Sequence, residues 1–498
     1  MESLAGLRLD QPMLRRTDAP TMRCEMQTPL LRAMVAAVAL VVATPAQADI
    51  TRLVVEHRSV IGADGYEQLT GHAYGELDPR HPANSIITDL ELAPRNARGA
   101  VEYVATFTIV KPVDMSRASG VLLYVVPNRG RVNFTAGRFF ADARRQGHVL
   151  VASGWQGDLE PAAGRETLQV PVAKNPDGSS VTGPVLARFV DMSPNTTTLP
   201  IVRGRMVGTA DPLSFDTSKA RLTRRTSEWT AVVPIHRDQW AFADCSVRSF
   251  PGSPDPRKVC IDGGFDPRYL YELVYTAKDP QVHGVGFAAT RDLNSYLRYG
   301  SGTESDTSHV LEMRITSTVS QGNSQSGTFL RSFIHLGFNQ DEVGRIVFDG
   351  SNPHIAARLL AMNIRFAAPS GAASMYEPGS DGVVWWSEYA DEARGGSAGA
   401  LLERCRATDT CPKIVETFGS AEFYNLRASP MLVGTGANRD IPLPSNVRRY
   451  YFPGVRHGGG RGGFDSELEH DDCCGLAPNP NPSSDTMRAL RTASWSGS

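Results

Sequence analysis

The most regular apolar segment of the chain is residues 121–126, VLLYVV, a run without a polar break. So short and continuous a run suits a strand buried on both faces of a sheet, because a solvent-facing side would impose alternation. Pro127-Asn128-Arg129-Gly130 ends it. Residues 136–146 (AGRFFADARRQ) then carry helical spacing, Gly147 stands where a C-cap glycine belongs, and 148–152 form a second apolar strand. Strand, helix, strand predicts a βαβ unit and a parallel sheet. Upstream, 101–110 (VEYVATFTIV) and 86–92 read as strands among turn residues. Downstream, 156–270 is rich in Pro, Gly, Thr and Arg with only short strand-like pieces such as 230–235; it is expected to be an insertion covering one end of the sheet. The rhythm resumes with a helix at 287–298, a strand at 315–320 followed by an amphipathic helix, and a short strand at 345–348. A Gly/Ala/Trp-rich, lid-like segment spans 366–404, and strands follow at 413–418 and 447–452, the last leading into a glycine-rich loop, 454–463. No internal repeat is found. The pattern predicts an α/β fold: a mostly parallel central sheet with helices on both faces, and β-rich or irregular insertions forming a cap.

The amino terminus changes this picture. Residues 34–43 (MVAAVALVVA) are apolar, preceded by Arg32 and followed by Ala46-Gln47-Ala48. A positive flank, an apolar core too short to span a bilayer and small residues before a cleavage point together read as a secretory signal peptide. Cleavage after Ala48 is expected, which divides the chain into a leader, 1–48, and one elaborated domain, 49–498, in the periplasm or outside the cell. The polar stretch ahead of the apolar core is long, so translation starts at Met22 or Met26 are also open. No other segment approaches the length of a membrane-spanning helix.

The 498 residues are 41% hydrophobic and 21% charged, with a formal net charge of −2. That balance gives no electrostatic reason to expect nucleic acid or an anionic membrane as partner. Seven cysteines suit an oxidising compartment. Cys24 lies in or before the leader, and Cys245/Cys260 and Cys405/Cys411 are close enough in sequence to close short disulfide loops. Cys473 and Cys474 are adjacent, where a mutual bridge would be strained, and no CxxC pair or histidine spacing accompanies them for zinc.

Candidate chemistry centres on 321–327, Q-G-N-S-Q-S-G, between the 315–320 strand and a helix with Phe329, Leu330, Phe333 and Ile334 on one face. A nucleophile elbow needs this strand–turn–helix context, with small residues two before and two after the serine so that the backbones can pass. With Ser324 as nucleophile these are Gly322 and Ser326. With Ser326 they would be Ser324 and β-branched Thr328, a worse fit. In such folds the order is nucleophile, acid, histidine. Of eleven histidines, only His335, His354, His457 and His470 follow Ser324. His335 lies too far along the elbow helix to turn back, whereas His457 follows the last strand in G-V-R-H-G-G-G. The acid is expected after the penultimate strand, at Glu422. Asp349 is the alternative, one strand earlier, and Asp440 is third. The N–H of Gln325 and an N–H after the 121–126 strand, from Arg129 or Gly130, are the expected oxyanion donors. Trp155, Trp385 and Trp386 are candidates to line an aromatic-tolerant cleft or to fill the core.

At these residues the sequence resembles a bacterial family of secreted alpha/beta hydrolase domain-containing proteins. The matching segments are V-P-N-R-G (126–130), S-G-W-Q-G-D (153–158), Y-E-L-V-Y (271–275), G-F-A-A-T-R-D-L (286–293) and G-N-S-Q-S-G-T-F-L-R (322–331). V-F-D-G (347–350), P-K-I-V (412–415), S-A-E-F-Y (420–424) and Y-Y-F-P-G-V-R-H-G-G (450–459) continue the series. The resemblance implies the α/β-hydrolase fold and an esterase-like serine mechanism, with Ser324, Glu422 and His457 at matching positions. Thr328 stands where many relatives look to have arginine. The expected activity is hydrolysis of small-molecule or polymeric carboxylic esters, with no metal or organic cofactor implied. An amidase or acyltransferase with the same residues, and a catalytically silent binding protein of this fold, remain the alternatives. Oligomeric state is not legible.

Overall fold

The computed structural model describes residues 49–201, 210–300, 310–311, 315–370, 382–392, 395 and 397–457. The expected leader, Cys24, Cys473, Cys474, His470 and parts of 366–404 and 454–463 lie outside the described residues.

The chain opens with an antiparallel meander of β1 (Asp49–Ile61), β2 (Tyr66–Leu77) and β3 (Val101–Pro112). It continues through β4 (Val121–Val126), α1 (Arg138–Arg145) and β5 (Val149–Ser153), and β4 and β5 pair in parallel as the βαβ pattern requires. After a long excursion come α2 (Val285–Tyr299), β6 (Ser317–Asn323), α3 (Gln325–His335), β7 (Gly350–His354), β8 (Lys413–Gly419), the short α4 (Ser420–Tyr424) and β9 (Val447–Phe452). The strand order is β1-β2-β3-β5-β4-β6-β7-β8-β9, parallel from β5 onward, with a two-residue strand at Leu168–Gln169 beside β3.

Period-2 alternation explains how both faces are covered. In β4, Leu122, Tyr124 and Val126 point into one core while Leu123 and Val125 point into the other; β5 divides the same way, Val149 and Val151 against Leu150 and Ala152. The first face receives α2 and α3, whose Phe287 and Phe329 stack at 4.8 Å between Trp155 and Phe338. The second receives Phe139 and Ala143 of α1. Each buried phenylalanine contributes about 1.5–3 kcal/mol by leaving water.

Residues Val285 to Leu297 of α2 are all buried, including Arg291 and Asp292. That is sustainable because Arg291 pairs with Asp292 (2.7 Å) and Glu342 (3.0 Å), and the Tyr103 hydroxyl donates to Asp292 at 3.0 Å. Burial pushes the Asp292 carboxyl up to about 6, against the opposing pull of Arg291.

The excursion forms a separate antiparallel sheet in the order Val233–Pro234, Arg221–Arg225, Leu270–Lys278, Thr182–Phe189, beside a three-stranded sheet of Trp240–Ala241, Lys258–Ile261 and Thr198–Pro200. Along Leu270–Lys278, alternate residues Tyr271, Leu273, Tyr275 and Ala277 are buried against Trp240 and Phe242. This sheet runs on to Lys278, past the 270 boundary expected for the insertion. Cys245–Cys260 and Cys405–Cys411 are disulfides, as expected.

Three expected strands are corrected. Residues 86–92 instead form turns and a 3-10 turn at Leu90–Leu92, because Asp89 adopts a left-handed φ of 62° that breaks an extended run; Ile87 and Leu90 still reach the core. The strand expected at 345–348 is β7, displaced to Gly350–His354. Only Val233–Pro234 of 230–235 pairs as strand.

Candidate active site

The C-terminal ends of β4, β6, β7, β8 and β9 lie along one edge of the parallel sheet, the edge at which open α/β folds assemble ligand sites. Between β6 and α3 stands Ser324, at φ 56° and ψ −118°. A non-glycine residue held there costs on the order of 1–3 kcal/mol, so neighbouring structure must enforce it. Three contacts do. The Ser324 N–H donates to the His354 carbonyl at the end of β7 (2.9 Å), and the Ser324 carbonyl accepts from the Thr328 N–H (2.9 Å). Gly322 passes so close to the first turn of α3 that a Cβ there would sit 2.3 Å from the Ser326 carbonyl oxygen. Ser326 is fully buried, and its hydroxyl has no partner among the described residues: the site takes a small side chain and asks nothing polar of it. The Thr328 hydroxyl anchors the turn to the Ala357 carbonyl at 3.1 Å.

His457 extends from the loop after β9. Its Nε2 lies 2.8 Å from Ser324 Oγ, and its Nδ1 lies 2.6 Å from Glu422 Oε1. Glu422 is completely buried in α4, and its other oxygen, Oε2, accepts from the Gly419 N–H at 2.6 Å. Three residues into its helix, Glu422 thus closes back on the helix start while facing the imidazole. The loops are drawn together at Gly419, where a Cβ would meet the Val455 carbonyl at 2.7 Å, and by the Ser420 hydroxyl, which accepts from Gly454 N–H at 2.8 Å.

After β4, Arg129 has a left-handed φ of 52°, and the Asn128 side chain donates to the Asn323 carbonyl at 3.0 Å, joining this loop to the elbow. The backbone N–H groups of Gln325 and Arg129 have no acceptor among the described residues. The Gln325 side chain donates to the Pro369 carbonyl, and the Arg129 guanidinium donates to the Ser370 carbonyl at 2.8 Å.

Behind the elbow, α3, β8 and β9 are joined by a buried charge network that the sequence reading missed. Glu416 is fully buried, bonded to the Arg331 guanidinium, to Arg449 Nε at 2.6 Å and to Trp386 Nε1 at 3.2 Å. Burial alone would raise the Glu416 carboxyl; the Arg449 and Arg331 guanidiniums outweigh it and hold it below its usual range. Removing one partner of such a buried network costs about 3–5 kcal/mol. The only signal in the sequence was the presence of charged residues inside otherwise apolar elements.

Other candidates fall elsewhere. Asp349 precedes β7, at the opposite end of the sheet from Ser324, and the five residues of β7 span about 16 Å. Its carboxylate pairs with Arg298 (2.9 Å) and accepts from the Thr318 N–H (2.8 Å), so the alternative acid is corrected to a structural residue. Asp440 is exposed ahead of β9. His335 closes α3, where burial depresses its imidazole pKa, and His354 Nδ1 lies 2.7 Å from the Thr417 hydroxyl. Trp155, Trp385 and Trp386 are each at most 1% exposed and belong to the core, which overturns the aromatic-cleft reading. Their indole N–H groups donate to Pro127, Gly399 and Glu416.

Among solved structures the chain is similar to acetyl xylan esterase 1 from Thermoanaerobacterium sp. JW/SL YS485, at 9% identity over 82% of this chain and 85% of that one, with a TM-score of 0.30. No curated protein sequence matches it. A family model described as alpha/beta hydrolase domain matches residues 223–493, a span that holds the elbow, β7, β8 and β9. With more than half of its 498 residues inside that match, the chain belongs to the alpha/beta hydrolase domain family.

Proposed function

We propose that this protein is an exported serine hydrolase that cleaves carboxylic esters through an acyl-enzyme. The observation that carries the reading is the continuous hydrogen-bonded chain from Ser324 Oγ through both nitrogens of His457 to buried Glu422. Ser324 Oγ attacks the ester carbonyl carbon while His457 Nε2 takes its proton. Glu422 keeps the second proton on Nδ1 and stabilises the imidazolium that forms. The tetrahedral oxyanion is received by the N–H groups of Gln325 and Arg129, both without an acceptor among the described residues. A single such donor is worth about 2.7–4 kcal/mol in the transition state. His457 then returns the proton to the leaving alkoxide, and water, activated by the same imidazole, releases the acid. The signal-like leader and two disulfides support action in the periplasm or outside the cell, on small-molecule or polymeric esters.

A fluorophosphonate probe is expected to label the purified protein at one site, mapped to Ser324, and a panel of p-nitrophenyl and aryl esters to be hydrolysed with labelling-sensitive turnover. Labelling with amide cleavage but no ester turnover would move the reading to an amidase. A folded protein that neither labels nor turns over any substrate would be a binding protein of the same fold.

A further inference from the structure

No hydrogen bond among the described residues joins Trp155–Gln156–Gly157–Asp158 to the three residues of the hydrogen-bonded chain, yet the stretch is linked to both residues that offer oxyanion donors. The Asp158 carboxylate is occupied on both oxygens by one residue: Oδ2 accepts from the Ser370 N–H at 2.8 Å and Oδ1 from the Ser370 hydroxyl at 2.9 Å. Ser370 is 2% exposed, and its hydroxyl also accepts from Gln156 Nε2 at 3.3 Å. Held in this way, Pro369 and Ser370 present two consecutive carbonyls. The first accepts from the Gln325 side chain and the second from the Arg129 guanidinium at 2.8 Å. The same stretch grips the Arg129 loop from behind, as Trp155 Nε1 donates to the Pro127 carbonyl at 2.8 Å. Gln325 and Arg129 come from different strands, and the Pro369–Ser370 strap is a shared support for their side chains.

We propose that Asp158 is a positioning residue of the oxyanion site: by fixing the Pro369–Ser370 strap it holds the Gln325 and Arg129 backbones, and so sets where their two N–H groups point. The inference rests on the serine-hydrolase reading above. Its physical logic is that a carboxylate accepting an N–H and an O–H from the same residue fixes both the position and the rotation of that residue, which a single hydrogen bond does not. Two donors aimed at one developing charge must be aligned before the reaction, and small displacements of catalytic geometry are costly in rate.

The experiment compares Asp158→Ala, Asp158→Asn and Ser370→Ala with the parent enzyme on one p-nitrophenyl ester. A trifluoromethyl ketone, which forms a tetrahedral adduct with the serine, serves as transition-state probe. Asp158→Ala is expected to lower kcat by roughly 10- to 1,000-fold, up to the loss of one oxyanion donor, with KM within about threefold. The inhibition constant of the ketone should rise in proportion to the fall in kcat/KM. Asp158→Asn keeps one acceptor for the Ser370 N–H and should recover part of the loss; Ser370→Ala, which deletes the hydroxyl's bonds to Asp158 and Gln156 but keeps the N–H bond, should lose least. If Asp158→Ala does not fold, the two milder variants carry the same comparison. Folded variants with unchanged kcat and ketone affinity, or with losses confined to KM or melting temperature, overturn the proposal. Ser324→Ala is measured alongside: if it stays active, the underlying reading fails, whereas a dead Ser324→Ala beside a fully active Asp158→Ala sinks only the role of Asp158.

Discussion

Replacing Ser324 by alanine is expected to lower turnover by roughly a million-fold, the usual cost of removing the nucleophile of a coupled triad, and to abolish fluorophosphonate labelling. The substitution deletes only the hydroxyl. Its Cβ remains, so the backbone at φ 56° meets the same steric demands, and the N–H still reaches the His354 carbonyl. Circular dichroism and melting temperature should therefore stay close to those of the parent. Ser326→Ala is the matched control. Its hydroxyl is buried without a partner among the described residues, and taking such a group out of an apolar site is neutral or stabilising. Measured kcat/KM on one ester separates the two: a dead Ser326→Ala beside an active Ser324→Ala would shift the nucleophile by two residues.

Glu422→Gln carries the second large effect, about 10⁴-fold in kcat, and the reason lies in where the two oxygens of Glu422 point. A glutamine has one acceptor and one donor end. If its oxygen keeps the Gly419 N–H, its amide NH₂ faces His457 Nδ1, which must then be the unprotonated nitrogen. The proton moves to Nε2, the side facing Ser324, and the imidazole can no longer accept from the hydroxyl. If the amide turns over, two N–H groups oppose each other at Gly419 inside the fold, at a cost in stability. The first orientation loses the base, the second keeps it only at that cost, and neither can stabilise the imidazolium as a carboxylate does. Asp349→Asn is expected to leave kcat nearly unchanged while weakening its tie to Arg298. A normal Glu422→Gln beside an inactive Asp349→Asn would overturn this assignment of the acid.

How much of this was legible in the sequence depended on what each residue is buried against. The strand at 121–126 could be read because both-face burial writes an unbroken apolar run, and those at 413–418 and 447–452 because β-branched and aromatic residues gather in them. The elbow could be read because its steric demands fall on local neighbours, Gly322 and Ser326. β7 was misplaced for the opposite reason. It reads Gly-Ser-Asn-Pro-His, with a proline that argues against a central strand and with Ser351 and Asn352 buried as polar side chains, Asn352 bonding the Val415 carbonyl. Polar strands satisfied by neighbouring strands leave no periodic trace. The same holds for Glu416, Arg331 and Asp158: each depends on partners between 27 and 212 residues away, and no window along the chain contains both ends of such a bond.

The sheet of residues 182–278 has a consequence for how this protein comes apart. Its hydrophobic cluster, from Val185 and Phe189 through Trp240 to Tyr275, shares no residue with the cores on the two faces of the central sheet, and Phe366 of the strap segment packs into it. Cooperativity follows shared burial, so two cores with so little in common need not melt together, and a single free energy of unfolding then stops being a property of the chain. Heating should give a calorimetric enthalpy larger than the van't Hoff value. Equality of the two would mean that the contact made through Phe366 is enough to make both cores unfold as one.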